Sequence, residues 1–113
     1  MITREGRVKI KDLVITNFNK FRVGSGGDST NPNAGDLDAP LGSLTSVTGT
    51  SVGQTTIEYN FTIRGSDFLG QTIKEVGIFD SGGTEMLIRA NYDGFGPLSA
   101  TDEINFIITI EVD

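Results

Sequence analysis

Apolar and polar residues alternate most strictly near the end of this chain. Over residues 103–112, Ile104, Phe106, Ile108, Ile110 and Val112 fall on one face, while Glu103, Asn105, Thr109 and Glu111 fall on the other. Such a period of two belongs to a strand with one buried side. The same pattern recurs over residues 56–64, where Ile57, Tyr59, Phe61 and Ile63 point inward between Thr56, Glu58, Asn60, Thr62 and Arg64. Between these two strands, an apolar run from Ile73 ends in Phe79-Asp80. A Ser81-Gly82-Gly83 turn follows, and a second apolar run starts at Met86. That succession predicts a hairpin. Within it, Gly77 sits between Val76 and Ile78, which marks a bulge or a close backbone approach.

The remaining segments are less periodic. Strands are expected near residues 20–23 and 44–50. Two readings stand for the N-terminus. Thr3 followed by Arg4-Glu5 suits a capped helix running to about Leu13, whereas Val8-Lys9-Ile10-Lys11 alternates as a strand does. Residues 24–44 are dense in Gly, Ser, Asn, Asp and Pro, so they read as one long internal loop with only Ala34, Leu37, Ala39, Leu41 and Leu44 to anchor it. Short strands, Gly-rich turns and no long helical pattern predict an all-β, single-domain antiparallel β-sandwich over residues 1–113, with or without a short N-terminal helix.

Composition narrows the chemistry. A chain of 113 residues suffices for one core, and no uninterrupted apolar run exceeds three residues. A soluble protein without a secretion signal or membrane span is expected. Nine basic and fifteen acidic residues give a net charge of −6, the wrong sign for a nucleic-acid surface. Arg4, Arg7, Lys9 and Lys11 cluster near the start, but Glu5 and Asp12 interrupt them, so they read as a solvated face. The chain has no cysteine, histidine or tryptophan. It therefore lacks thiolate nucleophiles, sulfur ligands and the usual general base near neutral pH.

Candidate sites are few. The run Gly24-Ser25-Gly26-Gly27 lacks the Lys-Ser/Thr and the helix that a phosphate-binding loop requires, and reads as a structural turn. Asp28, Asp36 and Asp38 offer oxygen ligands for calcium, without the spacing of a calcium-binding loop. Glu58, Glu75, Asp80 and Glu103 are the carboxylates from which a glycosidase pair would have to be drawn, and they read instead as strand residues. Glu75 falls on the inward side with Ile73 and Phe79. It is expected to be an internal brace, its charge matched by Arg64 or Arg89. Tyr92, Phe95 and the loop 93–97 could form a small platform for a sugar ring. The sequon Asn60-Phe61-Thr62 reads as accidental. No catalytic, cofactor-binding or metal-binding residue is assigned.

Three segments together resemble a family. Ile73-Lys74-Glu75-Val76-Gly77-Ile78-Phe79-Asp80, Gly83 and Leu87-Ile88-Arg89-Ala90-Asn91 resemble the I-R-E-V-G-L-F-D…G…L-I-A-x-A-N segment of bacteriophage tail-collar and tail-fibre attachment domains and related baseplate proteins. Phe21 to Gly27 with Pro32, Asp36 and Leu41 resembles their F-x-x-V-G-x-G-x-x-x-P…D-x-x-L segment, and residues 99–110 resemble their terminal strand. The segments occur in the family's order across most of residues 20–112. The N-terminus departs in part: such domains often begin with a helix, whereas residues 8–15 of this chain read as β-rich.

The resemblance implies a virion structural protein of the tail or baseplate. It would act by assembly in the host cytoplasm, form a homo-oligomer, and bind other phage virion proteins, with no cofactor, nucleic acid or membrane. It also implies that the partner contacts lie on the loop, at Phe21, Gly24, Gly26, Gly27, Asp36 and Leu41, and that the hairpin from Glu75 is scaffold. A capsid decoration or head-fibre protein and a carbohydrate-binding sandwich are the competing expectations.

Overall fold

A computed structural model describes residues 1–27 and 35–113. It contains one α-helix, a short 3-10 helix at Gly65–Asp67 and seven strands among those residues: α1 (Arg4–Asn17), β1 (Phe18–Gly24), β2 (Pro40–Ser46), β3 (Gly49–Ser51), β4 (Thr56–Arg64), β5 (Ile73–Asp80), β6 (Met86–Phe95) and β7 (Glu103–Glu111). The strands form two antiparallel sheets, ordered β2-β1-β5-β6 and β3-β4-β7. This is the expected small single-domain β-sandwich. Residues 8–15, read as a β-rich departure from a helical start, are instead part of helix α1.

Local chemistry decides the helix. The Thr3 hydroxyl accepts a hydrogen bond from Gly6 N at 3.1 Å, satisfying one of the amides that a helix start leaves open. Glu5 stands in the first turn, where the helix dipole favours a negative charge. At the other end Thr16 and Asn17 donate to the carbonyls of Asp12 and Leu13, and Phe18 turns the chain into β1. The alternation of Val8 to Lys11 is no obstacle. Ile10 is left exposed, while Lys11 is buried and donates to the Ser51 hydroxyl at 2.9 Å. The N-terminal basic cluster is thereby split between solvent and packing.

The core lies between the sheets. Ile57, Tyr59, Phe61 and Ile63 of β4 face Phe21 and Val23 of β1 and Val76 and Ile78 of β5. Phe21 stacks on Phe61 with ring centroids 3.9 Å apart, and Phe106 continues the stack at 5.3 Å. The Tyr59 hydroxyl donates to the Phe18 carbonyl at 2.7 Å, and burial pushes its pKa up to about 12.

Two boundaries differ from expectation. The strand expected over residues 44–50 is two strands, one in each sheet. Its first half begins earlier, at Pro40, inside the segment read as loop. Gly24 pairs with Pro40 and Val23 with Leu41. The register then slips, so that Gly42, Ser43 and Leu44 lie between the Leu41 pairing and the Phe21–Thr45 pairing. Proline has no N–H to give, so it is tolerated on an edge strand, and Gly42 takes the positive φ (+72°) at the slip. Pairing with β1 overrides a composition that reads as turn.

Candidate functional site

The outward face of the first sheet carries two cross-strand rows. In one, Arg22 of β1, Gly77 of β5 and Arg89 of β6 are neighbours; in the next, Gly24, Glu75 and Asn91 are. Residues 25–27 and 35–39 fold back over these rows, and each row holds part of that loop.

Glu75 is the centre of the arrangement. Its side chain is fully buried. One carboxylate oxygen accepts from Gly26 N at 2.7 Å and Ala39 N at 2.9 Å, and the other accepts from Asp38 N at 2.9 Å. Three N–H donors on an ionised carboxylate are an effective way to offset its desolvation. The expected guanidinium partner is therefore replaced by backbone. Arg64 is exposed on β4 in the other sheet, and Arg89 pairs with Asp38 instead, at 3.1 Å.

The clamp joins both ends of the loop. Gly26 precedes the undescribed residues, while Asp38 and Ala39 follow them. Ser25 N donates to the Ala39 carbonyl at 2.9 Å, closing the neck, and Asn91 Nδ2 donates to the Gly26 carbonyl at 3.2 Å. Arg22 reaches Asp36 at 3.4 Å. Leu37 is buried over Gly77: a Cβ there would lie 3.1 Å from its Cδ2 and 2.9 Å from the Phe79 ring. Gly77 is thus a close-approach glycine, and its pairing on both sides is in register.

The residues expected to contact partners divide accordingly. Phe21 is core, 6% exposed, and supports the loop from beneath. Leu41 packs against the core edge. Gly24 and Gly26 make room for the carboxylate: a Cβ at either position would lie 2.6 or 2.5 Å from Glu75 Oε2. Asp36 pairs with Arg22 and accepts from Leu37 N at 2.7 Å. Gly27 is exposed. Asp28 of the calcium trio, Pro32 of the phage-like segment and the anchor Ala34 lie outside the described residues. Sequence reasoning missed Arg22, Ser25 and Asn91 as loop holders; of these, only Asn91 carried a signal, as the last residue of a resembling segment.

Gly24→Ala is expected to destabilise the fold by about 2 kcal/mol, because its Cβ would displace either the Glu75 carboxylate or the Ala39 carbonyl, 2.7 Å away. Chemical denaturation measures the loss. In a Glu75→Ala background the penalty should shrink, since the carboxylate is gone.

The other candidates are not assembled into sites. Glu58 and Glu103 belong to the second sheet, whereas Glu75 and Asp80 belong to the first. Asp80 staples its hairpin. The backbone N–H of Glu85 and the Thr84 hydroxyl hold its carboxyl below the usual carboxylate range. Tyr92 packs its ring between Phe95 and Phe106, at 5.3 and 5.9 Å, and burial together with the Glu75 charge raises its pKa. Only Phe95 of the sugar platform presents an open ring, 52% exposed. Among the described residues no three acidic side chains gather as metal ligands, and no helix is long and apolar enough to cross a membrane.

Taken together, the site holds a loop. Its buried carboxylate accepts three backbone N–H bonds, and its two arginines are engaged by aspartates of the same loop. No model of a known protein family matches this chain, and no curated protein matches it.

Proposed function

We propose that this chain is a bacteriophage virion structural protein of the tail or baseplate, an assembly module that binds copies of itself and neighbouring virion subunits. One observation carries the reading. The residues behind two of the phage-like segments lie up to about seventy positions apart in the sequence, yet meet around one carboxylate. Gly24 and Gly26 come from the first segment, and Glu75 and Asn91 from the second. A set of residues that jointly fixes a loop to a sheet is a coherent unit on which an assembly surface can be built. The loop clamped there, residues 25–39, is the contact element, and β5 and β6 are its rigid support.

Binding of the pure protein to the virion proteins encoded beside it tests this reading, with immunogold labelling of particles to locate it. Expected are a complex with a tail or baseplate protein and label at the tail. Label on the head would transfer the protein to capsid decoration. A chain that binds no virion protein and labels no particle would end the proposal.

A further inference from the structure

Four strands form the edges of the two sheets: β2 and β6 in the first, β3 and β7 in the second. An open edge offers unpaired N–H and C=O groups to another chain, and monomeric proteins blunt it with shortness, proline, bulges or positive charge. Three of these edges are blunted in that way. β3 has three residues, β2 begins with Pro40 and breaks register, and β6 carries Arg89 and register shifts toward both ends. β7 is neither short nor interrupted, and its charged residues, Glu103 and Glu111, stand only at its two ends. Nine consecutive residues pair with β4 without a break, and its sequence contains no proline, glycine, lysine or arginine.

The burial along β7 points the same way. Ile107, at its midpoint, is 59% exposed on the outer face. On the inner face Ile104, Ile108 and Ile110 are only half-buried, although their β4 neighbours Ile63, Tyr59 and Ile57 are at most 4% exposed. The core is open along this flank. We propose that a second copy of this chain closes it, by antiparallel pairing of β7 with β7 about a two-fold axis at Phe106.

The side chains select that axis. Pairing about Phe106 sets Ile104 opposite Ile108 of the second copy on the core side, and Glu103 opposite Thr109 on the outer side. Pairing about Ile107 would instead set Glu103 against Glu111, a like-charge contact that costs stability. Tyr92 of β6 lies over Phe106 at 5.9 Å, so the axis passes through the aromatic edge of the core. The β7 pairing is self-complementary, as an isologous dimer requires. The inference specifies the self-association within the assembly role proposed above, but its chemistry stands apart from the virion assignment.

Sedimentation velocity over a concentration series, with amide hydrogen exchange, tests it. The wild-type chain should dimerise, and the β7 amides that point away from β4 should become protected as the dimer forms. Ile107→Lys alters an exposed side chain whose β4 neighbour is Asn60, so thermal unfolding should report an intact fold. Its dimer dissociation constant should rise by about tenfold or more, because the charge stands beside the two-fold axis. A wild-type monomer at every concentration would overturn the pairing. So would an oligomer indifferent to Ile107→Lys with β7 amides unprotected. Either result alongside binding to virion proteins would leave the assembly role intact. A β7-paired dimer that binds no virion protein would do the reverse.

Discussion

Glu75→Ala should lower the unfolding free energy by about 3–5 kcal/mol, because it removes the shared acceptor of three buried backbone donors. A domain of this size is typically stable by only about 5–15 kcal/mol, so the variant approaches the folding limit. Urea denaturation gives the loss, and amide exchange gives its location. The amides of Gly26, Asp38 and Ala39 should exchange fastest, through local opening of the loop, while those of β4 in the other sheet should speed up only as far as the fall in global stability requires. Glu75→Gln retains one carbonyl oxygen but turns an NH₂ group toward an N–H donor. About half the loss should remain. Unchanged stability and unchanged loop exchange in Glu75→Gln would rule out the carboxylate as the clamp.

A comparable loss is expected from Phe61→Ala, through a different mechanism. Phe61 lies between Phe21 and Phe106 and is 8% exposed, so truncation removes one ring from a stack of three and leaves a void between the sheets. Such substitutions cost about 3–5 kcal/mol. Here the exchange pattern should invert, with β1, β4 and β7 amides losing protection together. A melting temperature within a few degrees of wild type would show that the sheets close over the void. The two variants separate a local clamp from the global core, and a chain carrying both should show near-additive losses if the two are independent.

The strands were largely legible from sequence because one buried face imposes a period of two. β4 begins and ends where the alternation does, and β7 stops one residue short of it. The hairpin of β5 and β6 was legible from its Ser-Gly-Gly turn. What failed to show was everything decided by backbone partners. Glu75 reads as inward beside Ile73, but the structure keeps Ile73 in the core and sets Glu75 on the outer face, where the loop buries it. The amides that satisfy it belong to Gly26, Asp38 and Ala39, and an N–H group leaves no mark on residue type. The same holds for β2, where Pro40 and Gly42 spell turn and only pairing with Val23 and Gly24 makes a strand. Helix α1 was ambiguous because Val8 to Lys11 satisfies both periods; the Thr3 cap and the inward Lys11 decide it. Gly24 and Gly26 resembled contact residues because a glycine-rich run near a loop suggests a surface. Their role is to leave space beneath one.

The neck formed by Ser25, Ala39 and Glu75 also bears on how this protein can change over generations. Lengthening a loop whose ends are already joined costs only about 0.6 kcal/mol for each doubling of its length. That is small beside the several kcal/mol expected of the clamp. Changes at Gly24, Gly26, Glu75, Gly77 and Asn91 therefore weigh on the fold far more than a change of loop length does. Those five positions should vary least among descendants of this chain.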